Sequence, residues 1–453
     1  MVANGGTARI RNYSALLREL HIGSTTDSGT VLQINGSMSV VRVNIGNFGM
    51  GTYHLQGGRL ESGAPLFVGW GDGFEPGSGH LIQDGGTLTG VHSIEVGRGY
   101  NHGLYELKGG TVHFGRLVLG DTFTPGTGTV IQTGGRAEFA RSVTITRGLY
   151  DMRGGELDAF DDDDGLKVKS RFHQTGGTVN VGATLEVFGI YELSGGTLNV
   201  SRNIHGDSGF PQEGTFHVDG DGVLNVVDFI RLHTLVLGQT TPGELAQPPG
   251  NNQIANVTIH PGSRYTSANG ILSVRETLVN RGSFEAPIRL TVEGTFEQSD
   301  SGVLKVQIRG VNDPKNDLIQ IPGAATLVGQ LHVERVNHFT LNVGDTFDIM
   351  TYGSHMGTFD LITDPIPGGL RLDAVYSEDT LSLRVLSAIP GPTAGLLALI
   401  VLPALASLRP RRRAAKSPCV IMPHCPHTSP TRKRGTSHFP RSRVGLVCQH
   451  HAR

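Results

Sequence analysis

Tyr191-Glu-Leu-Ser-Gly-Gly-Thr-Leu-Asn-Val200 alternates apolar and polar residues on both sides of a Gly-Gly pair. A period of two is that of a strand, and glycines between two strands supply a turn in which positive φ meets no Cβ clash. The pattern recurs at Tyr53-His-Leu-Gln-Gly-Gly-Arg-Leu60, Leu81-Ile-Gln-Asp-Gly-Gly-Thr-Leu88 and Tyr105-Glu-Leu-Lys-Gly-Gly-Thr-Val112. Further copies are Val130-Ile-Gln-Thr-Gly-Gly135, Tyr150-Asp-Met-Arg-Gly-Gly-Glu-Leu157 and Phe172-His-Gln-Thr-Gly-Gly-Thr-Val179. The first glycines of the pairs are Gly57, Gly85, Gly109, Gly134, Gly154, Gly176 and Gly195, with successive spacings of 28, 24, 25, 20, 22 and 19. Each unit adds a second short strand ending in glycine, such as Leu66-Phe-Val-Gly69, Ile94-Glu-Val-Gly97 or Leu117-Val-Leu-Gly120. The intervals leave no room for a helix of about 10 residues, so the units are all β.

A unit of this size cannot bury its own apolar face, and stacking successive units is what creates a core. The expected fold is therefore a parallel β-solenoid with repeats of about 20–28 residues. At a coil spacing of about 4.8 Å, nine or so coils give a rod of roughly 40 Å. A β-sandwich or a propeller is the alternative, but the drifting period does not suit equal propeller blades. Residues 1–239 are assigned to the repeats and 240–253, with Pro242, Pro248, Pro249 and Gly250, to a linker. Residues 254–386 stay β-rich, as in Val303-Leu-Lys-Val-Gln-Ile308, and either continue the solenoid or close it. Gly5-Gly6-Thr7-Ala8 matches the repeat's turn, and Leu20-His-Ile-Gly23 matches its second strand. Met1 to Leu20 lacks the apolar stretch of a signal peptide, so the natural start is expected upstream.

Composition agrees with a glycine-punctuated β protein. Gly supplies 65 of the 453 residues, about twice the usual share. The net charge of −2 conceals an asymmetry: residues 409–453 hold 11 Lys or Arg and no Asp or Glu. Residues 1–408 carry the other 27 cations against 40 anions, a net of −13. An acidic body argues against nucleic acid as a partner. Cys419, Cys425 and Cys448 all lie in the basic tail, so no disulfide can staple the body. That tail, 409–453, reads as disordered, and its Cys419-x5-Cys425 spacing is not that of a zinc site.

Ala388 to Leu408 runs for 21 residues without a charge, long enough to span a bilayer. The Arg409-Pro-Arg-Arg-Arg413 cluster that follows would stay on the cytoplasmic side and leave the solenoid outside. The order of Pro390-Gly-Pro392, apolar segment and Arg409, Arg411, Arg412, Arg413 resembles the PEP-CTERM sorting signal of bacterial surface proteins, with Gly391 in place of that family's Glu. The Gly-Gly coils are similar to autotransporter-type passenger repeats. These resemblances imply export, display at the cell envelope and recognition by an exosortase-type sorting peptidase, but no chemistry.

Four motifs invite chemical readings. Asp219-Gly-Asp-Gly-Val-Leu-Asn225, followed by Asp228, resembles the calcium loop of dockerin modules, which makes Asp219, Asp221, Asn225 and Asp228 candidate ligands and calcium the one cofactor to consider. The first ligand position would be His217, a poor calcium ligand. The competing reading is one more coil with an insertion. In it Gly214 to Val226 overlays Tyr191 to Val200, and Leu235-Val-Leu-Gly238 overlays Leu117-Val-Leu-Gly120. Gly206-Asp-Ser-Gly209 is similar to the nucleophile motif of chymotrypsin-like proteases, yet Ser208 has no histidine partner in a matching context and reads as a turn. Asp161 to Asp164, near Asp158, Lys167 and Lys169, could form the acidic cluster of a polysaccharide lyase or hydrolase, but four Asp in one turn usually make a solvated loop. Gly69-x-Gly71 lacks the following helix of a nucleotide site.

The expectation is a non-enzymatic, exported surface or matrix-associated solenoid, held by a C-terminal membrane segment, whose rigid face contacts extracellular polysaccharide or other surface proteins. The alternative is a polysaccharide-active enzyme on the same scaffold.

Overall fold

A computed structural model of the chain describes residues 2–387, apart from 25–26, 72–76, 161–164, 207–213, 268–269, 312 and 315. The 388–408 segment, the sorting motif and the tail lie outside the described residues, as do Asp161 to Asp164 and Ser208.

The described chain is an all-β parallel solenoid of about 13 turns, roughly 60 Å at the usual strand spacing. Each repeat lays one stretch of strand on each of three faces. Met50–Leu55 lies on the first face, Arg59–Ser62 on the second and Leu66–Gly71 on the third, before Ser78–Gln83 returns to the first. Stacking is in parallel register: Tyr53 over Leu81 over Tyr105, Leu60 over Leu88 over Val112, Leu66 over Ile94 over Leu117. All nine side chains are at most 1% exposed, and together they begin the three apolar columns of a continuous core. Among the described residues the sole helical piece is the 3-10 turn Val336–His338.

The Gly-Gly pair is required twice over. The second glycine adopts positive φ, as at Gly58 and Gly196. A Cβ there would also stand 2.2 Å from the Gly36 carbonyl oxygen and 2.4 Å from that of Gly177, because each turn rests directly on the turn below. Gly5-Gly6 has a different place. Gly6 pairs with Gly29, Gly29 with Gly51 and Gly51 with Gly79, so the pair opens a first-face strand rather than forming the turn that leaves it. Tyr13 fills the turn position in that coil, where its carbonyl accepts the Ser37 N–H at 2.9 Å, as the carbonyl of Gly36 does from Arg59.

The core repeats every two coils, not every one. Along one inward column of the first face stand Gln33, Leu55, Gln83, Leu107, Gln132, Met152, Gln174, Leu193 and Val218. Where a coil has Leu or Met here, its Tyr two residues earlier reaches back to the glutamine of the preceding coil. Tyr105 donates to Gln83 at 2.7 Å, Tyr150 to Gln132 at 2.5 Å and Tyr191 to Gln174 at 2.7 Å, and Tyr53 donates to Gln33. Each glutamine amide then bonds two backbone carbonyls; Gln132 donates to Gly135 and Glu156. A buried amide is thus fully used, and so costs little to bury. Between these latches Tyr150, Phe172, Tyr191 and Phe216 stack with centroids 4.9, 4.7 and 5.0 Å apart.

Residues 231–387 both continue and close the solenoid. The first face runs on through Leu235, Val257, Leu278 and Phe296. The pairing of Leu235 with Phe216 puts it on the first face, whereas Leu117 belongs to the third, so their overlay is a likeness of sequence alone. Within 240–253 the chain forms Glu244–Gln247 and enters Asn251–Ile259. Here the second face is interrupted: Val223–Val226 ends one ladder, and Glu244–Gln247 starts a separate six-stranded parallel sheet that reaches Asp360–Thr363. Finally Thr346–Met356 takes Thr380–Ser387 as an antiparallel neighbour, which pairs antiparallel with Leu370–Tyr376. This reversal covers an edge that would otherwise be free to pair with another chain.

Candidate ligand face

Outward positions on the first face form columns in which one side chain per coil repeats. One column reads His54, Ile82, Glu106, Ile131, Asp151, His173, Glu192, His217. Beside it lie Thr52, His80, Leu104, Thr129, Leu149 and Arg171, and beyond them Ser78, His102 and Thr127. His54, His80, His102, His173 and His217 therefore share one surface, which linear spacing hides.

The acids of this surface are tied down. His54 Nε2 lies 2.5 Å from Asp84 Oδ2, and the Lys108 ammonium lies 2.9 Å from Glu106. That hydrogen bond holds the Glu106 carboxyl below its ordinary range and raises Lys108. Arg153 donates twice to Asp151 at 2.8 and 2.6 Å, and His173 Nδ1 sits 3.2 Å from the other carboxylate oxygen. Arg171 grips Glu192 with two parallel bonds of 2.7 and 2.9 Å, the geometry that makes Arg–carboxylate pairs directional. Burial lowers His217 despite the nearby Glu192 and Asp219.

Between the corner loops and this charged column lies a shallow groove of about 420 Å³ across three coils. Ser78, His80, His102, Thr127 and Thr129 line it with hydroxyls and imidazoles. His102 Nδ1 and Thr127 Oγ1 are 2.6 Å apart. His80 is lowered by burial, which outweighs the attraction of Glu106 at 3.7 Å, and its buried Nε2 has no hydrogen-bond partner among the described residues. The loops feeding these strands carry aromatics: Tyr100 stands two residues before His102, and Phe123, 94% exposed, four before Thr127. The second loop is set by the Asp121 carboxylate, which accepts the Phe123 N–H at 3.0 Å.

The residues singled out from sequence are dispersed. Asp219 is buried, and its carboxylate accepts from the Thr240 N–H at 3.3 Å and the Thr240 hydroxyl at 3.1 Å. Asn225 lies on Val223–Val226, where its amide donates to Asn199, Asn199 to Asn180 and Asn180 to Asp158, at 2.8, 2.8 and 2.7 Å. Asp221 and Asp228 are exposed. Among the described residues no three His, Cys, Asp or Glu form a group that could hold a metal ion. The overlay of Gly214–Val226 on Tyr191–Val200 holds in space, since Phe216 pairs with Tyr191 and Leu224 with Leu198. Asp158 is 1% exposed and 2.8 Å from Arg136, and Lys167 is 2.8 Å from Glu186. Gly69, at φ 72°, turns the corner from the third face to the first. No described helix is long and apolar enough to cross a membrane. The groove escaped sequence reading because its residues come from three coils; aligning the outward positions of the copies was the signal available. Comparison with known proteins finds no family model, no curated protein and no solved structure that matches this chain.

Proposed function

We propose that the protein is a non-enzymatic, exported cell-surface or matrix-associated solenoid that presents its first face to extracellular polysaccharide or other surface proteins. Residues 388–413 act as its PEP-CTERM-like sorting or anchoring signal and meet the membrane and a sorting peptidase. The observation that carries this reading is the uninterrupted first-face ladder, a stiff one-dimensional platform on which Asp84, Glu106, Asp151 and Glu192 are each engaged by a cation or a histidine. Carboxylates so engaged suit a surface that holds a partner rather than one that moves protons. The test is protease treatment of intact source cells, followed by mass spectrometry of the released peptides and of the envelope-bound remainder. Solenoid peptides released from the surface, with a mature chain ending near Pro390 or held by the 388–408 segment, are expected. A solenoid left whole on intact cells would refute display.

A further inference from the structure

The groove over coils Ser78–Gln83, His102–Leu107 and Thr127–Gln132 has a composition that selects its ligand. Its own lining, Ser78, His80, His102, Thr127 and Thr129, carries no carboxylate, ammonium or guanidinium group. Around it Glu106 and Lys108 pair at 2.9 Å, and the exposed Arg147 lies one coil beyond Thr127. An uncharged ligand meets no ionic group to desolvate in the lining itself. Hydroxyls and imidazole nitrogens match the vicinal hydroxyls of a sugar, each of which donates and accepts. Phe123 and Tyr100 stand exposed on the loops that lead into Thr127 and His102, and their flat apolar rings are the complement of a pyranose whose faces are C–H and whose edge is O–H. The arrangement also repeats with the coil, about 4.8 Å, close to the advance of one ring in an extended pyranose chain. A ligand built as a linear polymer can therefore address three coils in register.

We infer that this groove binds a neutral polysaccharide, laid across the three coils with Phe123 and Tyr100 against sugar faces and His102, Thr127 and Ser78 bonded to hydroxyls. This deepens the display reading by naming the partner class. The experiment is affinity electrophoresis of the full chain in gels containing soluble xyloglucan, galactomannan or dextran, with alginate as the acidic counterpart. The expected result is retardation by at least one neutral polymer and about tenfold weaker binding for both Phe123→Ala and His102→Ala, the size of a lost aromatic or polar anchor. Phe123→Trp should restore retardation. Both mutated side chains are exposed, so an unchanged melting temperature in the same samples shows that the fold is intact. No retardation by any neutral polymer, retardation by alginate alone, or retardation indifferent to both variants overturns the inference. A chain that is shaved from intact cells but is not retarded keeps display and loses the groove; one retarded but never exposed does the reverse.

Discussion

Gln132 shows how a polar residue becomes structural. Its carbonyl accepts the Tyr150 hydroxyl at 2.5 Å, and its amide donates to the Glu156 carbonyl at 2.9 Å and the Gly135 carbonyl at 3.4 Å, inside a column of fully buried side chains. Replacement by leucine fits the volume but strands a tyrosine hydroxyl and two carbonyls away from water. Gln132→Leu is expected to cost about 2–4 kcal/mol, whereas Tyr150→Phe, which leaves a single acceptor unmet, costs about 1–2 kcal/mol. Urea unfolding of both variants checks this, and equal midpoints for Gln132→Leu and the parent would show that the latch contributes nothing. The repeated motif disclosed the glycines because turns demand them at a fixed place. It hid the latch, because Gln and Tyr sit in different copies and meet only after stacking.

At the level of elements, the connection from Val303–Ile308 to Leu318–Thr326 contains the most unusual acid among the described residues. Asp317 is 2% exposed, accepts the Gln307 N–H at 2.6 Å and has its carboxyl pushed up to about 7, chiefly by burial. Glu285 and Glu334 add to the rise, while the Gln307 N–H and Arg309 oppose it. In the unfolded chain the same acid ionises near its ordinary value of 3.8. Between these limits the folded state holds the extra proton, so stability is fully present below about pH 4 and falls as pH rises towards 7. The span corresponds to on the order of 4 kcal/mol. Asp317→Asn keeps an acceptor for Gln307 without the charge. Its urea midpoint should gain steadily on the parent's from about pH 4 to about pH 8; a parallel pH profile would refute the assignment.

Across the whole molecule the ladders are unequal. The first face runs without a break past the point where the second face stops at Val223–Val226 and restarts at Glu244–Gln247. In a stacked repeat protein, stability is a sum of coils and neighbour contacts, so a missing ladder marks the weakest joint. Val223 and Val227, 48% and 60% exposed, lie on that joint. Hydrogen exchange should therefore be faster in Val223–Val226 and Glu244–Gln247 than in the central strand Ile190–Val200. Uniform protection through all three would mean that the two ladders behave as one.

The seven Gly-Gly copies and the period-two alternation determined an all-β stacked architecture, because turn chemistry and strand periodicity are local and leave local marks. The charge division between residues 1–408 and 409–453 was equally legible, being a matter of counting. Gly5-Gly6 went to a different position from the one its neighbours suggest, since a dipeptide alone cannot say whether it ends a strand or begins one. Leu235 changed faces for the same reason, its apolar pattern being equally good on any of three columns. Tertiary structure alone decided the two-coil period of the Tyr–Gln latches, the antiparallel closure at Thr380–Ser387 and the gathering of His80, His102 and Thr127 into one groove. Each depends on which coil lies above which, and that register is set by side chains from separate repeats packing into a common core.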